Sequence, residues 1–183
     1  QGDDITGYEP ARAGGAQGGI LATGHYPGRA RTPDELRADL DQALALIPGR
    51  HRIALHAIYA EHGRRPADRD ALEPRHFAGW MDWALERKLG LDFNGTFFAH
   101  PLAESGCTLS HRDPGVRRFW IGHALACRRI AAAMGRRLGT PCIHNLWIPD
   151  GSKDVPADRQ APRDRLRASL DEIFAAPHPP RNV

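Results

Sequence analysis

Lysine is almost missing from this sequence. Lys88 and Lys153 are the only two in 183 residues, so the basic side chains are nearly all arginines. Lys plus Arg total 25 against 22 acids, a net charge of +3 with a pI near 9.0. The arginines are spread over helix faces among acids, and nucleic-acid modules cluster their charge, so no nucleic-acid partner is expected. Cysteine is scarce too. Cys107, Cys127 and Cys142 make an odd count with no CxxC spacing, which excludes a disulfide framework and a zinc ribbon. A reducing, cytoplasmic compartment is the expectation. No run approaches the ~18–20 apolar residues of a membrane span. The sequence also lacks HxH, HExxH, GxSxG and P-loop patterns, so its ten histidines form no recognised metal motif and no hydrolase elbow stands out. An initiator Met and a charged-then-apolar leader are absent at Gln1, and the chain is expected to be cut rather than targeted.

What is present is a regular grammar. Hydrophobic residues make up 41% of the chain and charged ones 26%, enough apolar content for one self-sustaining core. Fifteen prolines and 19 glycines predict short, sharply punctuated elements. Residues 1–31 are Gly-rich without helical period and read as a long loop following a first strand. Thr32, Pro33 and Glu35 then supply an N-cap, a first-turn proline and a capping-box acid. Leu36, Leu40, Ala43, Leu44 and Ile47 follow at helical spacing until Pro48-Gly49. A strand is predicted over 52–59.

The same order then recurs. A helix opens at Pro74 with Phe77, Trp80, Met81 and Ala84 on one face, and a strand follows over 89–97. A longer helix opens at Pro114 with a stripe of Val116, Trp120, His123, Cys127, Ile130, Met134 and Leu138, and a third strand is predicted over 141–148. Pro162 opens the fourth helix. Units of this length imply crossover connections and a parallel sheet. A doubly wound sheet would carry a Gly-rich phosphate turn after its first strand, and no GxGxxG is present. The fold class expected is therefore α/β, a partial (β/α)8 barrel of about four βα units over 32–176, with 177–183 as a connector. Half a barrel leaves edges open, so the chain is expected to be a single incomplete domain.

Barrel chemistry sits at strand C-terminal ends, which can be read by parity. Ile53, Leu55 and Ala57 share one face and should meet helices, so His56 points the other way with Ala54 and Ile58. Leu91 and Phe93 likewise leave Asp92 and Asn94 on the opposite face. By position His56 is either a hydrogen-bonded core imidazole or a site group. Trp147, at the third strand's end, is either a core ring or an apolar wall for a sugar or carbon chain. The segment 150–154 (DGSKD) reads as a turn, and His123, within an apolar stripe, reads as core.

Several strings in the chain carry a resemblance. QGDD at 1–4, GGILATGHYPGRAR at 18–31, ELRADL at 35–40, LHAIY at 55–59, GLDFN at 90–94, TLSH at 108–111 and LWIPDG at 146–151 together resemble the bacterial L-rhamnose isomerase family across essentially the whole chain. One departure is His25, where the family pattern has Asn. The resemblance implies a xylose-isomerase-like (β/α)8 barrel, a cytoplasmic homotetramer, and interconversion of L-rhamnose and L-rhamnulose. It implies two divalent cations, typically Mn2+, that hold adjacent sugar oxygens and polarise the C1–C2 centre. The family's metal ligands and its Glu-x-Lys motif fall after residue 183, so no catalytic and no metal residue is assigned here. His56 matches the sugar-binding histidine and Trp147 the apolar wall. Phe93 is a third, weaker pocket candidate, because its parity faces the helices. The other reading is a non-catalytic half-barrel that binds or assembles. A barrel acting on sugar phosphates is disfavoured, since no Gly-rich helix N-terminus appears.

Overall fold

Three of the four described α-helices begin beside a short polar side chain that caps them, Thr32, Asp113 or Asp158. In the computed structural model, which describes Ala30 and residues 32–63, 66–151 and 157–183, four α-helices and three strands alternate. The loop expected over 1–31 lies, apart from Ala30, outside the described residues, as do Lys153 and its neighbours in the predicted turn. Helix α1 spans Pro33–Leu46, with the Thr32 hydroxyl accepting from the Glu35 backbone N–H. Strand β1 covers Arg52–His56 and runs into a 3-10 turn at Ala57–Tyr59. Pro74–Phe77 form another 3-10 turn before α2, Ala78–Glu86. Strand β2 is Gly90–Asn94. Helix α3, Pro114–Leu138, starts at Asp113, whose carboxylate accepts from the Gly115 N–H, and stops at Gly139 with φ 66°. Strand β3 is His144–Asn145, and α4 spans Gln160–Phe174.

Several boundaries differ from expectation. Strands β1 and β2 end at His56 and Asn94, short of the predicted 52–59 and 89–97, and β1 passes into the 3-10 turn at Ala57–Tyr59. Helix α4 starts two residues before Pro162, because the Asp158 carboxylate accepts from the N–H groups of Gln160 and Ala161. The third strand is far shorter than 141–148. The Ile143 N–H donates to the Asp92 carboxylate at 2.9 Å, so a side chain takes the place of a ladder partner.

The sheet is parallel, in the order β1-β2-β3, with His56 opposite Asn94 and Asn94 opposite Asn145. One face is covered. Leu55, Leu91 and Phe93 pack there with Phe77, Trp80 and Ala84 of the second unit and Ile130 and Met134 of α3. The other face, carrying Arg52, Ala54, His56, Asp92, Asn94, Ile143 and Asn145, is covered by no described helix. Beyond the strand ends a second cluster gathers Phe97, Leu109, Trp120 and Ile173.

After α4 the chain returns to the sheet. The Asn182 carbonyl accepts from the Cys142 N–H at 3.0 Å, and Val183 packs on the main core. This return leaves no room on α3 at Gly135, where an added Cβ would lie 1.9 Å from the Asn182 oxygen. Gly135→Ala would gain about 1 kcal/mol in helix propensity. It cannot keep the tail docked, however, because a backbone carbonyl cannot rotate away as a side chain would. A net loss of about 1–2 kcal/mol is expected, with faster hydrogen exchange at Asn182 and Val183. Unchanged exchange there would show that the tail does not rest on α3.

Two core histidines make stability depend on acid. His123 is fully buried, and burial together with the Arg69 charge pushes its pKa down to about 4. His144 is pushed down to about 4 by burial and then by Arg128, and its Nε2 is buried with no hydrogen-bond partner among the described residues. Both folded values lie below the ordinary imidazole value of about 6.5, so the unfolded chain takes up protons first as pH falls. Their contribution is complete above about pH 6.5 and is lost between there and pH 4. Chemical denaturation at pH 7 and pH 5 should show a loss on the order of 1 kcal/mol per pH unit for each histidine, with His144→Gln giving a shallower slope. A flat profile would mean that neither imidazole is buried neutral.

Candidate functional site

The polar face ends, at the C-terminal edge of the strands, in a row of polar side chains. His56 is the last residue of β1 and is 9% exposed. Its Nδ1 lies 3.2 Å from the Thr96 hydroxyl, and its Nε2 lies 3.3 Å from the Asn94 side-chain nitrogen. Asn94 is its register partner on β2, so parallel pairing alone brings the two side by side. Tyr59 and Phe98 meet the imidazole edge-on, with ring centroids 6.1 and 6.4 Å away.

Phe98 also touches Trp147. The two rings are nearly perpendicular, at 5.0 Å between centroids. Trp147 itself is 47% exposed, so in this structure it is a surface ring and not a core one. The loop carrying it is held by Asp150. That carboxylate accepts from the Thr108 N–H at 2.8 Å, from the Ser110 N–H and hydroxyl at 2.6 Å each, and from the Thr108 hydroxyl. Four donors on one carboxylate fix the segment after β3 against the segment before α3.

His56 and Trp147 are thus brought to the same end of the sheet, each against Phe98. Phe93 borders a cavity on the polar face but does not turn its ring into it. Its side chain is fully buried on the helix-covered face, with its ring edge-on to Phe77 at 5.0 Å, where its parity puts it. The cavity, of about 570 Å3, opens along the polar face, lined in part by Arg52, His56, Tyr59, Asp92, Asn94 and Asn145. Sequence reasoning passed over Phe98, Thr96 and the role of Asp150. An aspartate five residues after a strand, with TLS and its two hydroxyls some 40 positions upstream, gives no local signal.

The residues of this site do not suit a metal ion. Asp92 is paired with Arg52, with Nη2 to Oδ1 at 2.7 Å, and Asp150 is saturated by its four donors. Among the described residues no group of three or more His, Cys, Asp or Glu is placed to hold a cation. One other reactive pair exists, His123 and Cys127, with Sγ 3.6 Å from Nε2. Burial pushes the thiol up to about 12 while it pushes the imidazole down, so both stay neutral and no thiolate forms. The three cysteines are all free thiols. No described helix is long and apolar enough to cross a membrane.

Comparison with known proteins points one way. A family profile for L-rhamnose isomerase (RhaA) matches residues 1–180. The L-rhamnose isomerase of Rhodopirellula baltica is 57% identical over 179 residues, covering 98% of this chain and 42% of that protein. Those of Cronobacter sakazakii and Pectobacterium carotovorum are each 58% identical, over 95% and 97% of this chain and 41% and 42% of their own lengths. The chain therefore spans about two-fifths of the length of the curated relatives it matches. Identity of this level over nearly the whole chain leaves one assignment: the chain belongs to the L-rhamnose isomerase family.

Proposed function

We propose that this chain supplies the substrate-side part of a cytoplasmic, tetrameric L-rhamnose isomerase, a (β/α)8 barrel that interconverts L-rhamnose and L-rhamnulose. The family match over residues 1–180 carries this reading. The parallel sheet, one face of which no described helix covers, supports the barrel, because parallel sheets are normally covered on both sides. The free thiols support a reducing compartment. The tetramer rests on the family resemblance.

In this reading His56 hydrogen-bonds a sugar hydroxyl or the ring oxygen at the strand ends. Trp147, braced by Phe98, is the apolar wall that keeps water from the sugar while hydrogen moves between C1 and C2. Phe93 serves the pocket from behind, holding β2 against the helices so that Asn94 stays beside His56. Two divalent cations, typically Mn2+, would hold adjacent sugar oxygens and polarise the carbonyl. The described residues do not furnish their ligands, so the steps assigned to this chain are binding, orientation and exclusion of water.

Two substitutions in an isomerase of full family length test these roles. His56→Ala removes one hydrogen bond to a neutral hydroxyl, at a cost of about 0.5–1.5 kcal/mol, and more if the Thr96 or Asn94 group is left buried without a partner. KM for L-rhamnose should rise several-fold while bound-metal content, read by elemental analysis, stays the same. A lost cation would make His56 a ligand and overturn the assignment.

Trp147 separates wall from core. Truncating a buried tryptophan costs ~3–5 kcal/mol, but this ring has nearly half its surface free and should cost much less. Trp147→Ala should lower kcat at least about tenfold, near 1.4 kcal/mol, with only a modest fall in Tm, whereas Trp147→Phe keeps most of the activity. A large Tm drop with unchanged kcat would return Trp147 to the core.

A further inference from the structure

Thr96 has a backbone that its own side chain disfavours. Its φ is 53°, in the left-handed region, where a β-branched residue is an outlier. Two other non-glycine residues among those described share such an angle, Lys88 at 55° and Ala99 at 51°. Lys88 follows the end of α2, where a left-handed residue closes the helix with its N–H on the Leu85 carbonyl and the Leu89 N–H on the Ala84 carbonyl. Ala99 carries only a methyl. Thr96 ends no helix, and glycine or asparagine would suit its backbone better.

The surrounding structure enforces the conformation. Gly95 allows no side chain, since an added Cβ would lie 2.5 Å from the Phe97 ring. The Gly95 carbonyl is bound by His123 Nε2, from the buried face of α3. Between these anchors Thr96 is turned inward, 2% exposed, with its hydroxyl on His56 Nδ1. Strain retained at a buried strand end beside a proposed binding residue is a pointer to function.

The hydrogen-bonding sense follows from the partners. The Asn94 side-chain nitrogen carries only hydrogens, so the His56 Nε2 facing it presents a lone pair. A neutral imidazole then carries its proton on Nδ1, which donates it to the Thr96 oxygen. We infer that Thr96 is a positioning residue that holds His56 in the Nδ1–H form, so that Nε2 meets the sugar as an acceptor of a hydroxyl hydrogen bond, exchanged with the Asn94 amide. This rests on the proposed role of His56 in sugar binding. It adds the direction of the bond: His56 selects a ligand group that can donate.

The experiment uses an isomerase of full family length with 15N-labelled histidine and its metal in place. The His56 resonance is assigned by its loss in His56→Gln. Parent and Thr96→Ser should both show the proton on Nδ1 and turn over L-rhamnose with similar kcat/KM. Thr96→Gly relieves the left-handed strain, so its thermal midpoint should stay close to the parent's. It should nonetheless lose the Nδ1–H preference and several-fold in kcat/KM, mostly through KM, as His56→Ala does. Thr96→Val, which lacks the hydroxyl but keeps the shape, should behave as Thr96→Gly in both readouts if it folds. A proton on Nε2 in the parent, full kcat/KM in Thr96→Gly, or lost activity with an unmoved His56 proton would each overturn the inference. Unchanged kinetics in His56→Gln would instead overturn the sugar-binding reading, whatever the tautomer of the parent.

Discussion

Arg52 and Asp92 decide where every other side chain of the sheet points. Arg52 sits on β1 opposite Gly90 and reaches diagonally across to Asp92, with Nε to Oδ2 at 3.0 Å and Nη2 to Oδ1 at 2.7 Å. The same guanidinium donates to the carbonyls of Leu91 at 3.0 Å and Pro141 at 2.6 Å, and to the Thr140 hydroxyl at 3.2 Å. Asp92 in turn receives the Ile143 N–H. One ion pair thus touches all three strands at their entry. Both groups keep some solvent contact, so its contribution to stability is modest. Its contribution to register is larger. A slip of one residue would turn His56 into the helix-packed core and Leu55 out onto the polar face, and the pair holds only in the register observed.

From that fixed register the site follows in two steps. Pairing places Asn94 beside His56, and the tight turn at Gly95 and Thr96 ends β2 and brings Phe97 and Phe98 back over it. The turn is tied to the interior by His123, whose Nδ1 also faces the Arg69 carbonyl at 2.8 Å. A neutral imidazole has one N–H for these two carbonyls, so His123 serves the Gly95 and Arg69 backbones in alternation, as a buried polar post rather than a reactive group. On the other side Asp150 fixes the loop that carries Trp147. Both features of the proposed site are therefore held by buried or saturated polar contacts that touch no ligand themselves, as preorganised sites require.

The parts of this arrangement that were legible in the sequence are those governed by short-range rules. The prolines at 33, 74 and 114 marked helix starts, or the 3-10 turn leading into one, because the first turn needs no proline N–H. Parity told His56, Asp92 and Asn94 from Leu55, Leu91 and Phe93, because strand side chains alternate strictly. It set Phe93 against the helices, where its ring lies. Strand length was not legible, since an Asp92 carboxylate at Ile143 and a left-handed turn at Thr96 end the ladders, and neither has a local pattern. For Trp147 the pattern left core and wall both open, and the structure shows a half-exposed ring resting on Phe98. Thr96 was invisible because threonine ordinarily favours strands. Its meaning lies in a dihedral angle that depends on His123, far away in sequence, and on the packing of the neighbouring Phe97.

The polar face of the sheet is graded along the strands, and the gradient bears on the proposed barrel. Arg52 at the entry reaches Asp92 in the middle row, and the two neutralise each other with hydrogen bonds that touch all three strands. Level with Asp92 lie the small Ala54 and the exposed Ile143, 65% accessible. At the exit stand His56, Asn94 and Asn145, the last of them exposed. Covering the entry with further strands would bury a pair that is already satisfied, and covering the middle would bury apolar surface, which is favourable. Only the exit row would be costly to cover with apolar side chains, because Asn145 and the His56–Asn94 pair need polar partners. A barrel closed over this sheet would therefore pack tightly below and stay open above. Its mouth would then fall at the strand end where Trp147 and Phe98 already pack against each other.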